Sequence, residues 1–345
     1  MKNIILTCIS ILIMSCFSNN IRTFQFKYEV KLNPTNGQKL EVWIPIPKTN
    51  VVQKISNLHY EMADLNYEMK NEKKHNNNYL YIYSENGIDD TTIINITFDV
   101  AREEHSNKFY EGVNYNNYLG AYSTVPIGNV FKSIINKNKL TDDDIKGIYE
   151  FVLSGMHYGK PKSIGDKYYN DPWLSEDESY GMKLVSRDKV VELYQISKKN
   201  NNNYTFGNGN SIYACDIGVG NCTDYHSYFM SLGRTLDIPV RFHMGFPIPL
   251  DSEGIINGYH CWADYFIQGK GWSPVDISEA DKNPSLKDYF FGTIDNNRVD
   301  MMVGRDFVLE GYDNGDLNLF IYPILEVDNK VSLDFTKKFS YKNLE

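Results

Sequence analysis

Cysteine is scarce in this chain. The five among 345 residues are too few and too irregularly spaced to staple a disulfide scaffold. Long apolar runs are lacking as well: the stretch Ile4 to Met14 is about half of the roughly 20 residues that a spanning helix needs, so no permanent membrane span is expected. Basic residues gather nowhere into an extended face. The formal charge is −9, with 35 Lys and Arg against 44 Asp and Glu, which argues against nucleic acid as a partner. EF-hand and phosphate-loop patterns do not occur, and there is no internal repeat. What the chain does have is 42% hydrophobic residues, enough for two domain cores, and 14% aromatics including 26 Tyr, a composition suited to half-buried pleated surfaces.

The first residues read as an address. Met1-Lys2-Asn3 supplies a short basic start, Ile4 to Met14 an apolar stretch, and Ile13-Met14-Ser15-Cys16 resembles the bacterial lipobox. Residues 1–15 are therefore expected to be a lipoprotein-type signal peptide. Cys16 would be the first mature residue, lipidated, with the remainder tethered to the membrane outside the cytoplasm. An ordinary cleaved signal is the simpler alternative.

Residues 21–125 are expected to form an all-β accessory domain of sandwich type. Phe24 to Val30, Lys39 to Ile44, Tyr79 to Tyr83 and Ile93 to Phe98 alternate apolar and polar, and Asn36-Gly37 and Asn86-Gly87 mark turns. The period changes at Leu140. Thr141 reads as a cap, Asp142 to Asp144 as an acidic first turn, and Ile145, Ile148, Tyr149, Val152 and Leu153 as one apolar stripe of a helix. Residues 160–210 form a long polar connection with a short helical stretch near Val190 to Gln195, suited to a cleft or lid.

Chemistry concentrates further on. Gly218-Val219-Gly220 breaks the chain, Asn221 is a capping type, and Tyr225, Phe229 and Leu232 recur at helical spacing until Pro239. That places Cys222 at a helix N-terminus, where unpaired amides favour a thiolate and can hold an oxyanion. Downstream, Tyr259 to Ile267 and Trp272 to Asp276 read as a hairpin turning at Gln268 to Gly271. It sets His260 and Asp276 opposite or one diagonal step apart on the same face. A carboxylate so placed can orient an imidazole whose other nitrogen faces the thiol. Pro274 requires this strand to be at an edge or bulged. His226, four residues beyond Cys222, is the rival base, although a structural hydrogen bond is its default role. Trp262, on the face of His260, is expected to wall the cleft, and Cys261, on the opposite face, to be core.

Gly220-Asn221-Cys222-Thr223-Asp224, Ile238-Pro239-Val240-Arg241, Tyr259-His260-Cys261-Trp262-Ala263 and Gly271-Trp272-Ser273-Pro274-Val275-Asp276 together resemble the bacterial transglutaminase-like superfamily, whose core is related to papain-type cysteine proteases. Asn297-Arg298-Val299 also fits that branch, while Asp237 stands where the family often has Gly. The resemblance implies an α+β fold: a helix bearing the Cys packed on an antiparallel sheet bearing His and Asp, over residues 135–345, preceded by the β domain. It also implies roles, with Cys222 as nucleophile, His260 as general base and acid, and Asp276 as orienting carboxylate.

The expected activity is acyl transfer on amide bonds of peptides or proteins through a Cys222 thioester. Water as second nucleophile gives a peptidase or amidase, and a primary amine gives a transglutaminase. Asn221 and Tyr213 are candidates to complete the oxyanion hole. A zinc site from Cys215, Cys222, His260 and Cys261 is disfavoured by spacing and strand alternation, so no metal or cofactor is expected. Cys215 and Cys261 are candidates for a disulfide. The competing reading is a non-enzymatic envelope protein that uses the fold to bind a partner.

Overall fold

The computed structural model describes residues 21–159, 179–180, 185–186, 204–315 and 317–344. Cys16, the leader and the helical stretch expected at Val190 to Gln195 lie outside the described residues. In chain order the strands are β1 (Arg22–Leu32), β2 (Leu40–Ile46), β3 (Gln53–Glu61), β4 (Asn66–Glu72), β5 (Asn77–Ser84), β6 (Thr92–Arg102), β7 (His157–Tyr158), β8 (Ser179–Tyr180), β9 (Val185–Ser186), β10 (Val219–Gly220), β11 (Val240–Pro247), β12 (Glu253–Ile256), β13 (His260–Ile267), β14 (Gly271–Val275), β15 (Arg298–Val303), β16 (Ile324–Val327), β17 (Lys330–Ser332) and β18 (Phe335–Asn343). Helices Asn129–Asn138 and Ile145–Gly155 precede β7, Ser211–Ile217 precedes β10, Cys222–Thr235 follows it, and Ile277–Lys282 follows β14.

Two five-stranded sheets, ordered β12-β18-β1-β6-β3 and β17-β16-β2-β5-β4, make the β layer pair. Alternation in β1 buries Phe24, Phe26, Tyr28, Val30 and Leu32 completely. Each such side chain contributes roughly 1.5–3 kcal/mol of transfer free energy. The accessory region does not end near residue 125. β16, β17 and β18 return to it, with Phe26 opposite Tyr341 in β18 and Trp43 opposite Ile324 in β16. The C-terminal part of the expected core domain, 135–345, therefore completes the sandwich. The buried edges of β1 and β2 need partners for their backbone groups, and the last strands supply them.

The second unit is the four-stranded antiparallel sheet β14-β13-β11-β15 with the helix Cys222–Thr235 on one face. Register puts Arg241, His243 and Gly245 opposite Asp264, Trp262 and His260. Alternation then turns Cys261, Ala263 and Tyr265 toward the helix, where Tyr265 meets Phe229 with ring centroids 6.2 Å apart. The other face is covered by the β region through Gln53, which accepts from Asp300 N at 3.0 Å and from Arg102 Nη1 at 3.0 Å. Pro274 sits in β14, an edge strand.

Two local expectations shift. The helix from Ile145 is capped by Asp144, whose Oδ1 accepts from Gly147 N at 2.9 Å, and Thr141 lies outside it. Asp144 wins because the carboxylate one residue before the helix reaches the free amides directly. Asp237 closes the Cys222 helix with φ +59°, a left-handed conformation that glycine adopts without strain and Asp tolerates better than most residues.

Candidate active site

The site begins with the cap of the Cys222 helix. Asn221 Oδ1 accepts from Thr223 N at 2.9 Å, and the Asp224 side chain reaches back to Asn221 N at 3.0 Å. This is a capping box built on Asn and Asp. Asp224 also accepts from Gly207 N at 2.9 Å and Gly209 N at 3.0 Å, which ties the preceding loop to the helix. Burial pushes its carboxyl up to about 7 against those donors. Gly220 is a glycine for space: a Cβ there would lie 2.6 Å from that of Asp224.

Cys222, the first helical residue, is only 3% exposed. At that first position its amide has no intrahelical acceptor and can donate to a ligand oxygen. The neighbouring Cys261 thiol and the His260 imidazole hold the Cys222 thiol well below its ordinary pKa, overcoming burial. The His260 ring is anchored on one nitrogen. Its Nε2 lies 2.7 Å from Asp276 Oδ2, which leaves Nδ1 for Cys222. Burial disfavours the imidazolium, but Asp276 and the Cys222 thiolate outweigh it and push His260 up to about 10. The resting pair is therefore thiolate and imidazolium.

Asp276 is fully buried and fully used. Oδ1 accepts from Glu279 N at 3.1 Å and Ser278 Oγ at 3.0 Å, capping the helix Ile277–Lys282, while Oδ2 also accepts from Arg298 Nη1 at 2.9 Å. Burial would raise this carboxyl, yet His260 and Arg298 hold it well below the carboxylate range. β13 and β14 pair Ala263 with Val275 and Asp264 with Pro274, which sets Asp276 one diagonal step from the position facing His260. Arg298 lies in β15, next to no other site residue in sequence, so the chain carries no local signal of this contact.

His226 has both ring nitrogens occupied. Nδ1 is 2.7 Å from the Cys222 carbonyl and Nε2 accepts from Ile277 N at 3.0 Å. A neutral ring protonated at Nδ1 fits both bonds, and burial keeps its pKa low. It locks the helix that carries the thiol to the helix that carries the carboxylate.

Two expectations change, for Trp262 and for the Cys215–Cys261 disulfide. Trp262 walls no cleft: it is completely buried and stacks 6.4 Å from His260 and 5.5 Å from His243, supporting the imidazole from behind. Tyr213 is a core residue of Ser211–Ile217, its ring 5.5 Å from Tyr204. Asn221 spends its side-chain oxygen on the cap and keeps its amide nitrogen as a donor. Cys261 is core, as alternation requires, and it faces the helix that Cys222 opens; no disulfide joins Cys215 and Cys261. Among the described residues no cluster of three or more His, Cys, Asp and Glu could hold a metal ion.

Partly exposed groups border the site. Tyr158 in β7 pairs in parallel with Gly220, Lys282 Nζ stands 4.2 Å from its ring centre, and Glu279 Oε1 lies 2.8 Å from Lys282 Nζ and 3.9 Å from His260 Nε2. They form an amphoteric rim beside a neutral ion pair.

Comparison with known proteins follows this geometry. Residues 176–277 match the family model of the transglutaminase-like superfamily, a span that holds Cys222, His260 and Asp276. An uncharacterized protein of Haemophilus influenzae is 27% identical over 196 residues, covering 46% of this chain and 53% of its own length. The chain thus spans about half the length of that curated relative. A solved candidate cysteine protease from Cytophaga hutchinsonii superposes with a TM-score of 0.52 at 12% identity, covering 94% of this chain and 91% of that one. The periplasmic domain of TgpA from Pseudomonas aeruginosa gives a TM-score of 0.34 at 11% identity, over 76% of this chain and 72% of that one.

Proposed function

We propose that this chain, a member of the transglutaminase-like superfamily with a β-rich accessory region, is a cysteine-dependent enzyme that cleaves or exchanges amide bonds of peptides or proteins. The carrying observation is the Cys222 thiol beside an imidazole that Asp276 holds at 2.7 Å. The thiolate attacks the amide carbonyl, and the Cys222 amide donates a hydrogen bond to the developing oxyanion. His260 donates its proton to the departing nitrogen, leaving a thioester. It then removes a proton from the incoming nucleophile, and the new acyl compound leaves with the thiolate restored.

Hydrolysis is the favoured outcome, since water is abundant outside the cell. Cys16 lipidation would hold the enzyme at the envelope, where peptides and proteins are the amides at hand. The supports are the lipobox-like residues and the apolar leader. The test incubates the protein with a glutamine-containing peptide library, with and without a fluorescent primary amine. Intact mass reveals a thioester on Cys222, and product mass separates hydrolysis from amine incorporation. An acyl adduct that vanishes in Cys222→Ala supports the reading. Absence of any adduct or turnover on glutamine and backbone amides alike defeats it and favours a binding scaffold.

A further inference from the structure

The sheet that carries His260 ends at β15, whose outer edge is met by two side chains of the β-rich region and not by a strand. Each is a buried amide. Gln53, at the start of β3, accepts on Oε1 from Asp300 N at 3.0 Å and donates from Nε2 to Asp300 O at 2.7 Å. Asn77, at the start of β5, accepts on Oδ1 from Val303 N at 2.9 Å and donates from Nδ2 to Val303 O at 2.8 Å. Each amide thus takes both backbone groups of one residue, as a neighbouring strand would. Gln53 is filled further, since Arg102 Nη1 donates to its Oε1 at 3.0 Å and its Nε2 donates to Lys48 O at 2.9 Å.

The strand so held serves the site twice. Arg298, two residues before Asp300 and on the same face, donates from Nη1 to Asp276 Oδ2 at 2.9 Å. Asp300 Oδ2 lies 3.0 Å from His243 Nδ1. His243 stacks on Trp262 with ring centroids 5.5 Å apart and planes at 5°, and Trp262 stacks in turn on His260 at 6.4 Å. The Arg298 and Arg102 guanidiniums stand 5.1 Å and 5.7 Å from the Trp262 ring centre. Carboxylate and imidazole therefore lean on the same strand.

We propose that Gln53 and Asn77 are positioning residues of the active site: they fix β15 from the β-rich region, and β15 aims Asp276 and, through His243 and Trp262, the His260 ring. The proposal rests on the thiolate–imidazolium pair of the function above. An edge strand without partners opens more readily than a paired one. A carboxylate that drifts from 2.7 Å stabilises the imidazolium less, and a misplacement of about 1 Å can cost roughly 10²-fold in rate. The β-rich region is then a working part of the catalytic unit.

The test follows iodoacetamide labelling at Cys222 against pH in the full chain, for the wild type, Gln53→Met, Asn77→Leu and Val30→Ala. Val30 is buried in β1 opposite Ile94 and Lys337, so its truncation destabilises the β-rich region without touching β15. Urea midpoints should fall in all three variants. The labelling limb should rise by about one pH unit in Gln53→Met, roughly a tenfold loss of rate at a pH below the limb. It should rise less in Asn77→Leu, which lies farther from Arg298, and stay in place in Val30→Ala. On an amide substrate, kcat should fall in the two amide variants while KM holds. Limbs that coincide with the wild type overturn the proposal and leave the proposed function standing. So do limbs that move downward, as withdrawal of the Arg298 charge alone would cause. A wild-type Cys222 that labels only near the free-thiol value of about 8.5 overturns both. Either amide variant decides the matter where the other does not fold.

Discussion

His260 Nε2 lies 2.7 Å from Asp276 Oδ2, and the two meet one diagonal step apart across the β13–β14 hairpin, not directly opposite each other. The offset lets Asp276 leave the strand and cap the next helix while its second oxygen holds the imidazole. Asp276→Asn keeps the shape but loses the charge that favours imidazolium. Turnover on the amide substrate should fall roughly 10²- to 10⁴-fold. Circular dichroism and kcat/KM measured together check that the loss is chemical.

The pH dependence has a definite sign. Cys222 titrates well below its ordinary value and His260 near 10, so the thiolate–imidazolium pair exists between those two limits. Turnover should be sustained far below the free-thiol value near 8.5 and should decline only as His260 loses its proton near 10. The two limbs belong to the pair, since each charge stabilises the other. A kcat/KM profile over acid to alkaline pH reads both.

Arg298 is the second cation on Asp276 Oδ2, at 2.9 Å. Arg298→Met leaves the buried carboxylate with less compensation, at a cost of about 3–5 kcal/mol. A carboxyl held below its unfolded value near 3.9 stabilises the fold above that pH and loses the contribution as pH falls through the folded value. Arg298→Met raises the folded value, so that contribution shrinks and acid unfolding starts at a higher pH. Urea titrations at neutral and mildly acidic pH measure both effects.

His226 is assigned to architecture and not to proton transfer, because both of its nitrogens are engaged, at 2.7 Å and 3.0 Å. His226→Ala strands the buried Ile277 amide and should cost about 1–3 kcal/mol of stability. The folded protein should still label at Cys222 with the acid limb of the wild type. A base role would instead move that limb toward the free-thiol value.

Much of this was legible in the chain, for physical reasons. The strands β1, β5 and β6 announce themselves because one face is drier than the other, and the Cys222 helix because its cap and apolar period agree, whereas β2 alternates in sequence yet is buried on both faces. Pairings distant in sequence were not legible. Nothing local in Phe335–Asn343 says that it will lie against β1, and nothing in Arg298 says that it will meet Asp276. Cys261 shows the limit of a correct rule: alternation rightly turned it away from the face of Trp262, but only the docked helix brings Cys222 to that side. The Asp237 departure from glycine became intelligible once its φ of +59° was known.

The central claim is that Cys222 rests as a thiolate paired with His260. Its most direct test is the pH dependence of iodoacetamide labelling at Cys222, read by peptide mass spectrometry in the wild type and in His260→Ala. The account predicts wild-type labelling well below the free-thiol value near 8.5, with the limb moving upward in His260→Ala. A Cys222 that is inert, or that labels identically without His260, contradicts it.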